Sequence, residues 1–187
     1  MAKRDTDIEP DFAAGIPDSG VGHAIGYSNE KRIPYKRPFV KYPPTWPRSF
    51  MPQDQKRRDL VAKMKLLPNS RFTHGQKIVF MDDSIVRGTQ LKDNVVKLLD
   101  AGVKEIHMRI ACPPLIFPCR FLNFSTSRST YDLYTRNPKH KEMVDIMCRH
   151  LQLTSLKFQR LDDLVEAIGL PKEDLCTHCW DNSSYDE

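Results

Sequence analysis

The order of apolar and polar positions along the chain predicts alternating strands and helices. Apolar residues at 11–16 predict a strand, and the small residues at 22–27 predict a helix that packs closely on a sheet. Residues 77–81 predict a buried strand, 90–101 an amphipathic helix and 105–111 a further strand. A strand, a helix and a strand in this order form a βαβ unit. We therefore expect an α/β fold with a mostly parallel sheet flanked by helices.

The carboxyl-terminal part continues the same alternation. An amphipathic pattern predicts a helix over 139–151, and a short strand is predicted over 156–158. A short helix over 162–168 should end at Gly169, because glycine readily adopts the left-handed conformation that closes helices.

Residues 30–55 interrupt the alternation and predict a long loop, because no helix tolerates prolines at the spacing found there. A helical pattern resumes over 54–66. The chain has a net charge of +5, and the excess is concentrated in 31–65, where only Asp54 and Asp59 are acidic. Such a segment favours an anionic partner, either nucleic acid or a polyphosphorylated small molecule. A solvated basic surface is the alternative.

The length of 187 residues fits one sizeable domain, or one domain with a small appendage, and excludes a large multidomain enzyme within this chain. No apolar run approaches the roughly 18 residues that a membrane helix needs. The amino terminus lacks an apolar stretch behind its charges, which argues against a secretory signal and leads us to expect a cytoplasmic protein.

Two acidic residues, Asp82 and Asp83, follow the strand predicted at 77–81. They are costly in a core, so we expect them at the carboxyl edge of the sheet, where open α/β folds bind ligands. There they could accept hydrogen bonds from sugar hydroxyls or hold a divalent cation. Arg87, Gly88 and Thr89 begin the next helix and could hold a phosphate. The alternative is a helix-capping turn with two surface acids.

Residues 79–89 resemble the phosphoribosyl pyrophosphate (PRPP) signature of type I phosphoribosyltransferases. The run Asp82-Asp83-Ser84-Ile85-Val86-Arg87-Gly88-Thr89 is closest to the version found in amidophosphoribosyltransferases. Other segments resemble that family in the same order, from about residue 11 to residue 179: Ile16-Pro17-Asp18-Ser19-Gly20, Arg48-Ser49-Phe50-Met51-Pro52, Cys112-Pro113-Pro114, Phe117-Pro118-Cys119 and Leu175-Cys176-Thr177-His178-Cys179. The resemblance implies a type I phosphoribosyltransferase fold that lacks its upstream part.

The resemblance also implies roles for these residues. Asp82 and Asp83 would contact the ribose hydroxyls and Mg2+. The loop after them would hold the 5-phosphate through Ser84, Ile85, Val86, Arg87, Gly88 and Thr89. The pyrophosphate loop would contain Asp18, Ser19 and Gly20, with Ser19 linked to the metal.

The reaction implied is displacement of pyrophosphate from C1 of PRPP by ammonia, which gives 5-phosphoribosylamine and opens de novo purine biosynthesis. Its catalysis would consist of positioning, charge neutralisation and exclusion of water. The basic loop over about 30–55 would close as a lid, with Lys41 and Arg48 as its catalytic charges and Lys65 as a weaker candidate. The lid departs from the family's Asn-Arg-Tyr-Val-Gly-Arg run and has one arginine fewer.

Family enzymes carry an amino-terminal glutaminase domain with a nucleophilic cysteine, and no cysteine precedes Cys112 here. We therefore expect a single phosphoribosyltransferase domain over 1–187, with a PRPP-binding core at 10–151 and a tail at 152–187. Such a chain would be a fragment, a split gene product or a shortened paralogue. It would form a homo-oligomer or associate with a separate glutaminase chain.

Five cysteines, an odd number in a chain without a secretory signal, argue against a disulfide framework. The resemblance matches Cys119, Cys176 and Cys179 to three ligands of a [4Fe–4S] cluster found in some family members. The fourth family ligand lies upstream, and Cys112 could replace it only if the geometry allows. A half-site, or a site completed by another chain, is the expectation.

Two alternatives to the ammonia-dependent enzyme stay open. One is a phosphoribosyltransferase-fold module that senses PRPP or nucleotides without catalysis. The other is an inactive fragment, whose sheet edge would be exposed and would favour association. Nucleic acid is a weaker partner than PRPP, because the basic segment is proline-rich and no DNA-binding helix-turn-helix stretch is apparent.

Overall fold

The computed structural model describes residues 1–41, 66–86, 89–119, 121 and 140–183. Six strands are found there: β1 Phe12–Gly15, β2 Phe39–Lys41, β3 Leu66–Pro68, β4 Lys77–Asp82, β5 Glu105–Ile110 and β6 Ser155–Phe158. The α-helices are α1 Gly20–Lys31, α2 Ser70–Thr73, α3 Thr89–Asp100, α4 His140–His150, α5 Leu161–Ile168 and α6 His178–Asp181. Two short 3-10 helices span Ala2–Arg4 and Lys172–Asp174.

The main sheet has the order β1-β4-β5-β6, and all three pairings are parallel. Its register places Gly15 beside Met81, Asp82 beside Ile110, and Ile110 beside Phe158. The carboxyl ends of all four strands therefore meet at one edge. The predicted α/β fold with a mostly parallel sheet is confirmed.

The two faces of the sheet bury different kinds of side chain. Alternate residues of β5 point to opposite faces, as in any strand. Met108 packs with α3 and α4 in the larger apolar cluster. On the other face, Val79 and Met81 pack with Ala24 and Tyr27 of α1. The residues before β1 cover the same face, where Arg109 is buried.

The prediction of an uninterrupted loop over 30–55 is wrong in two places. Helix α1 continues to Lys31 and ends at Arg32 in the left-handed conformation. Strand β2 forms inside the segment and pairs antiparallel with β3. Phe39 accounts for this strand, because its ring is 2% exposed and packs on Phe80 with centroids 5.7 Å apart. The predicted helix over 54–66 lies outside the described residues except Leu66, which is in β3.

The outer edge of β1 is not fully open, contrary to the expectation for a fragment. Ala13 N donates to Pro34 O at 2.8 Å, and Lys36 N donates to Ala13 O at 3.0 Å. These two bonds make an isolated parallel bridge between Ala13 and Tyr35. The chain thus covers the centre of this edge with its own backbone. None of the helices in the described residues is both long and apolar enough to span a membrane.

Candidate functional site

The acidic pair lies at the carboxyl edge of the sheet, as the sequence predicts. Residues 78–81 of β4 are buried, whereas Asp82 is half-buried and Asp83 is exposed. Main-chain pairing continues to the end of the strand, since Asp82 lies beside Ile110 and its carbonyl accepts from Ala111 N at 2.9 Å. The carboxylates are therefore held by a fully paired central strand.

The loop between β1 and α1 meets this acidic pair directly. Ile16 N donates to Met81 O at 2.8 Å, so the loop leaves β1 while still bonded to β4. Ser19 Oγ then donates to Asp83 Oδ1 at 2.8 Å. The structure thus brings together two segments that lie 64 positions apart in the chain.

Glycine is required where this loop crosses β4. A Cβ added to Gly20 would lie 2.1 Å from Met81 O, and one added to Gly15 would lie 2.6 Å from Gly20 O. Both distances are shorter than any contact that a real Cβ makes, and the obstructing atoms are backbone. Only a chain without side chains at these two positions can place Ser19 against Asp83.

The two carboxyl groups differ in their protonation. Burial, followed by the hydrogen bond and negative charge of Asp83, raises the pKa of Asp82 to about 7. Burial also acts to raise the pKa of Asp83, but hydrogen bonds from Ser19, Asp82 and Ser84 outweigh it and lower that pKa overall. A neighbouring pair that would otherwise carry two negative charges is thus close to sharing one proton at neutral pH.

The other predicted site residues are placed as follows. Ser84 Oγ donates to Asp83 Oδ2 at 3.1 Å, Ile85 is buried in the core and Val86 is half-buried. Asp18 is exposed in the loop beside Ser19, and Thr89 is the first residue of α3. Lys41 is the last residue of β2. Four predicted residues lie outside the described ones: Arg48, Lys65, Arg87 and Gly88.

The site presents carboxylate oxygens from Asp82 and Asp83 and hydroxyl groups from Ser19 and Ser84. Ser19 lies at the start of α1. Within the described ranges, no three His, Cys, Asp or Glu side chains are grouped to hold a metal ion. Mg2+ does not require such a group, because it keeps several waters and takes one or two carboxylates plus substrate oxygens. Asp82 and Asp83 suit that mode of binding.

Four cysteines lie beyond the same edge of the sheet. Cys112 and Cys119 flank the segment that follows β5, and Cys176 and Cys179 lie near the end of the described chain. Ile116 N and Phe117 N donate to Cys179 O at 2.9 and 3.1 Å, which joins the two segments. Burial, followed by the charges of Asp83 and Cys179, raises the pKa of the Cys112 thiol to about 12.

No protein-family model matches the chain. The curated amidophosphoribosyltransferase of Methanothermobacter thermautotrophicus is 35% identical to this chain over 178 residues. These residues cover 95% of this chain and 36% of that protein. The Methanocaldococcus jannaschii enzyme is 35% identical over 173 residues, covering 92% and 35%. The chain spans about a third of the length of these relatives.

Two solved structures are similar to this chain over almost all of its length. The Bacillus subtilis glutamine PRPP amidotransferase, complexed with ADP and GMP, has a TM-score of 0.79 and 28% identity, covering 97% of this chain and 39% of that one. A structure described as the allosteric regulatory enzyme of purine biosynthesis has a TM-score of 0.80 and 28% identity, covering 97% and 38%.

The parallel sheet, with an acidic strand end facing a glycine-containing loop, is a type I phosphoribosyltransferase fold. Among proteins with this fold, the chain is a homologue of amidophosphoribosyltransferases and corresponds to their phosphoribosyltransferase part.

Proposed function

We propose that the chain binds PRPP with Mg2+ and transfers its phosphoribosyl group to ammonia, which gives 5-phosphoribosylamine and pyrophosphate. The observation that carries this proposal is the bond from Ser19 Oγ to Asp83 Oδ1. It holds the pyrophosphate loop against the carboxylates that would bind the ribose hydroxyls. One edge of the sheet can then bind both the ribose and the pyrophosphate, the two groups joined by the bond that breaks.

In this proposal each side chain has a limited task. Asp82 and Asp83 bind the two ribose hydroxyls and the cation, and Ser19 orients Asp83. Residues 84–89 hold the 5-phosphate at the beginning of α3, where backbone amides favour an anion. Mg2+, when bound, neutralises charge on the departing pyrophosphate. Lys41 and Arg48 would add positive charge from the lid. Ammonia is the nucleophile in this reaction, so the protein itself need supply none.

We propose the same division of the chain that the sequence indicates, with a core at 10–151 and a tail at 152–187. The tail would place Cys176 and Cys179 beside Cys119 as a partial iron–sulfur site. Association with a second copy or with a separate glutaminase chain, and a cytoplasmic location, are part of the same proposal.

Thermal unfolding tests the binding step, because a ligand that binds only the native state must stabilise it. PRPP with Mg2+ should raise the midpoint, and the double variant Asp82→Asn, Asp83→Asn should lose the shift. The matched control Asp93→Asn, Asp100→Asn removes the same charge from exposed positions on α3 and should keep it. An unshifted wild-type midpoint at saturating PRPP contradicts the proposal.

Release of pyrophosphate in the presence of ammonia then separates an enzyme from a PRPP-sensing module. Turnover that depends on both PRPP and ammonia supports the transferase. Binding without turnover favours the non-catalytic alternative.

A further inference from the structure

Helix α1 begins where the loop that contains Ser19 ends, and it rests on the sheet mainly through small residues. All of its residues, 20–31, lie in the described part of the chain, and four of them are buried: Gly20, Ala24, Tyr27 and Ser28. Their spacing of three or four places Gly20, Ala24 and Tyr27 on one face of the helix. Small side chains make few contacts with a neighbouring element, so Tyr27 is the large side chain that can fix the position of α1.

The hydroxyl of Tyr27 is bonded to a buried carboxylate. Tyr27 Oη donates to Asp5 Oδ2 at 2.5 Å, and the two residues are only 4% and 1% exposed. Burial, then the hydrogen bond to Asp5 and its negative charge, raises the pKa of Tyr27, so the hydroxyl keeps its proton and is the donor. A hydrogen bond to an ionised group is shorter and stronger than one between neutral groups. Removing the hydroxyl would take one donor from the carboxylate and leave the packing of the ring in place.

The Asp5 carboxylate is itself fixed to the sheet by two neighbouring strands. Arg109 of β5 donates to it twice, at 2.6 and 2.9 Å, and Lys157 of β6 donates once, at 2.9 Å. Arg109 and Lys157 lie side by side in the register of these two strands. Tyr27 therefore ties α1, through Asp5, to β5 and β6 and not only to the segment before β1.

The anchor of Tyr27 and the beginning of α1 share one position in the sheet. Arg109 lies beside Met81 in the register of β4 and β5. The Met81 carbonyl accepts from Ile16 N at 2.8 Å and leaves no room for a Cβ on Gly20. Gly20 and Tyr27 lie two helical turns apart, which is about 10 Å along the axis. A helix of this length moves as a rigid element, so a displacement at Tyr27 is carried to the loop before Gly20.

We propose that Tyr27 is a positioning residue for the pyrophosphate end of the PRPP site. Its bond to Asp5 fixes α1 so that Ser19 stays within hydrogen-bond reach of Asp83, at 2.8 Å. The inference rests on the proposed function, because it concerns the same site. It adds a selectivity that the proposed function does not contain. Tyr27 affects the binding of the pyrophosphate group and not that of the 5-phosphate, which residues 84–89 would hold.

Tyr27→Phe tests this inference, because it removes the hydroxyl and keeps the ring. Titration calorimetry of the full chain with Mg2+ compares three probes, which are PRPP, inorganic pyrophosphate and ribose 5-phosphate. We expect Tyr27→Phe to bind PRPP and pyrophosphate about tenfold more weakly, as is typical when a residue that orients a binding group is lost. Its affinity for ribose 5-phosphate should equal that of wild type. Thr73→Val is the matched control for all three probes, since it also deletes a buried hydroxyl, one that donates to Asn69 O and Ala101 O near the beginning of β4.

Thermal midpoints of both variants are measured on the same samples, so that a loss of affinity can be compared with a loss of stability. Unchanged PRPP affinity in Tyr27→Phe, or equal weakening for ribose 5-phosphate, would overturn the inference and leave the proposed function standing. A loss of PRPP affinity in Thr73→Val as large as in Tyr27→Phe would also overturn it, because the effect would then follow stability alone. Wild type that binds none of the three probes contradicts the proposed function itself.

Discussion

Arg109 of β5 and Asp5, which lies in the segment before β1, form an ion pair with two hydrogen bonds. Arg109 Nε donates to Asp5 Oδ2 at 2.6 Å and Nη2 donates to Oδ1 at 2.9 Å, and neither side chain is exposed. Tyr27 and Lys157 donate to the same carboxylate. Burial by itself raises the pKa of Asp5, but these hydrogen bonds hold it well below its usual range.

Breaking this pair should be strongly destabilising, because the fully buried Asp5 carboxylate would keep only Lys157 as a charged partner and would lose both bonds from Arg109. Arg109→Met should lower the free energy of unfolding by about 3–5 kcal/mol, measured by urea denaturation. Asp7→Asn is the control, since Asp7 is exposed and its ion pair with Lys157 should contribute less than about 1 kcal/mol. Similar losses of unfolding free energy in the two variants would show that the buried pair contributes no more to stability than the exposed one.

The same carboxylate should shape the stability of the protein in acid. The folded-state pKa of Asp5 lies below the ordinary value of 3.8, so the unfolded chain takes up the proton first as the pH falls. Its stabilising contribution is therefore complete above about pH 5 and is lost progressively below that. Asp5→Asn should be less stable at neutral pH and should lose less on acidification. Parallel stability curves for wild type and variant would contradict this.

Ser19 should affect ligand binding more than stability. Ser19→Ala removes the hydroxyl that donates to Asp83 Oδ1, which should raise the pKa of Asp83 and release the loop from the acidic strand end. We expect PRPP with Mg2+ to bind about tenfold more weakly, equivalent to about 1.4 kcal/mol. Titration calorimetry measures this, with Ser70→Ala at an exposed position of α2 as the control. Equal affinities in the two variants would remove Ser19 from the site.

Two glycines of α1 should respond in opposite ways to the same substitution. Gly20→Ala places a methyl group against the Met81 carbonyl and should both destabilise the fold and impair PRPP binding. Gly22→Ala meets nothing within 4 Å and should stabilise the helix by about 0.5–1 kcal/mol. Thermal midpoints compare the pair. A tolerated Gly20→Ala would mean that the loop can move away from β4 without cost.

The regular core could be predicted from the sequence because its pattern is local. Ile106, Met108 and Ile110 alternate along β5, and all three lie in the larger apolar cluster. The acidic pair at the end of β4 was predictable for the same reason, since charged residues after a buried strand belong at a sheet edge. The resemblance implied only that Ser19 is linked to the metal, and its bond to Asp83 was not predicted, because no local pattern links positions that far apart.

The polar face of the sheet could not be predicted in this way. Arg109 occupies an alternating position that the pattern assigns only to the opposite face of β5, and nothing near it in the sequence indicates burial. Arg109 can be buried because Asp5 supplies the compensating charge. Asp5 lies outside every element that the sequence predicts. Strands β2 and β3 escaped prediction because three residues are too few to show a period, and a proline precedes one and ends the other.

The Asp5 carboxylate also determines the order in which the molecule can assemble. It precedes all the strands, yet Arg109 and Lys157, which hold it, lie 104 and 152 positions further along the chain. Because Asp5 is synthesised before β5 and β6, its ion pairs with Arg109 and Lys157 can form only after those strands have been made. Contacts between such distant positions are slow to form. The segment that contains Asp5 is thus fixed in place later than the strands that follow it in the chain.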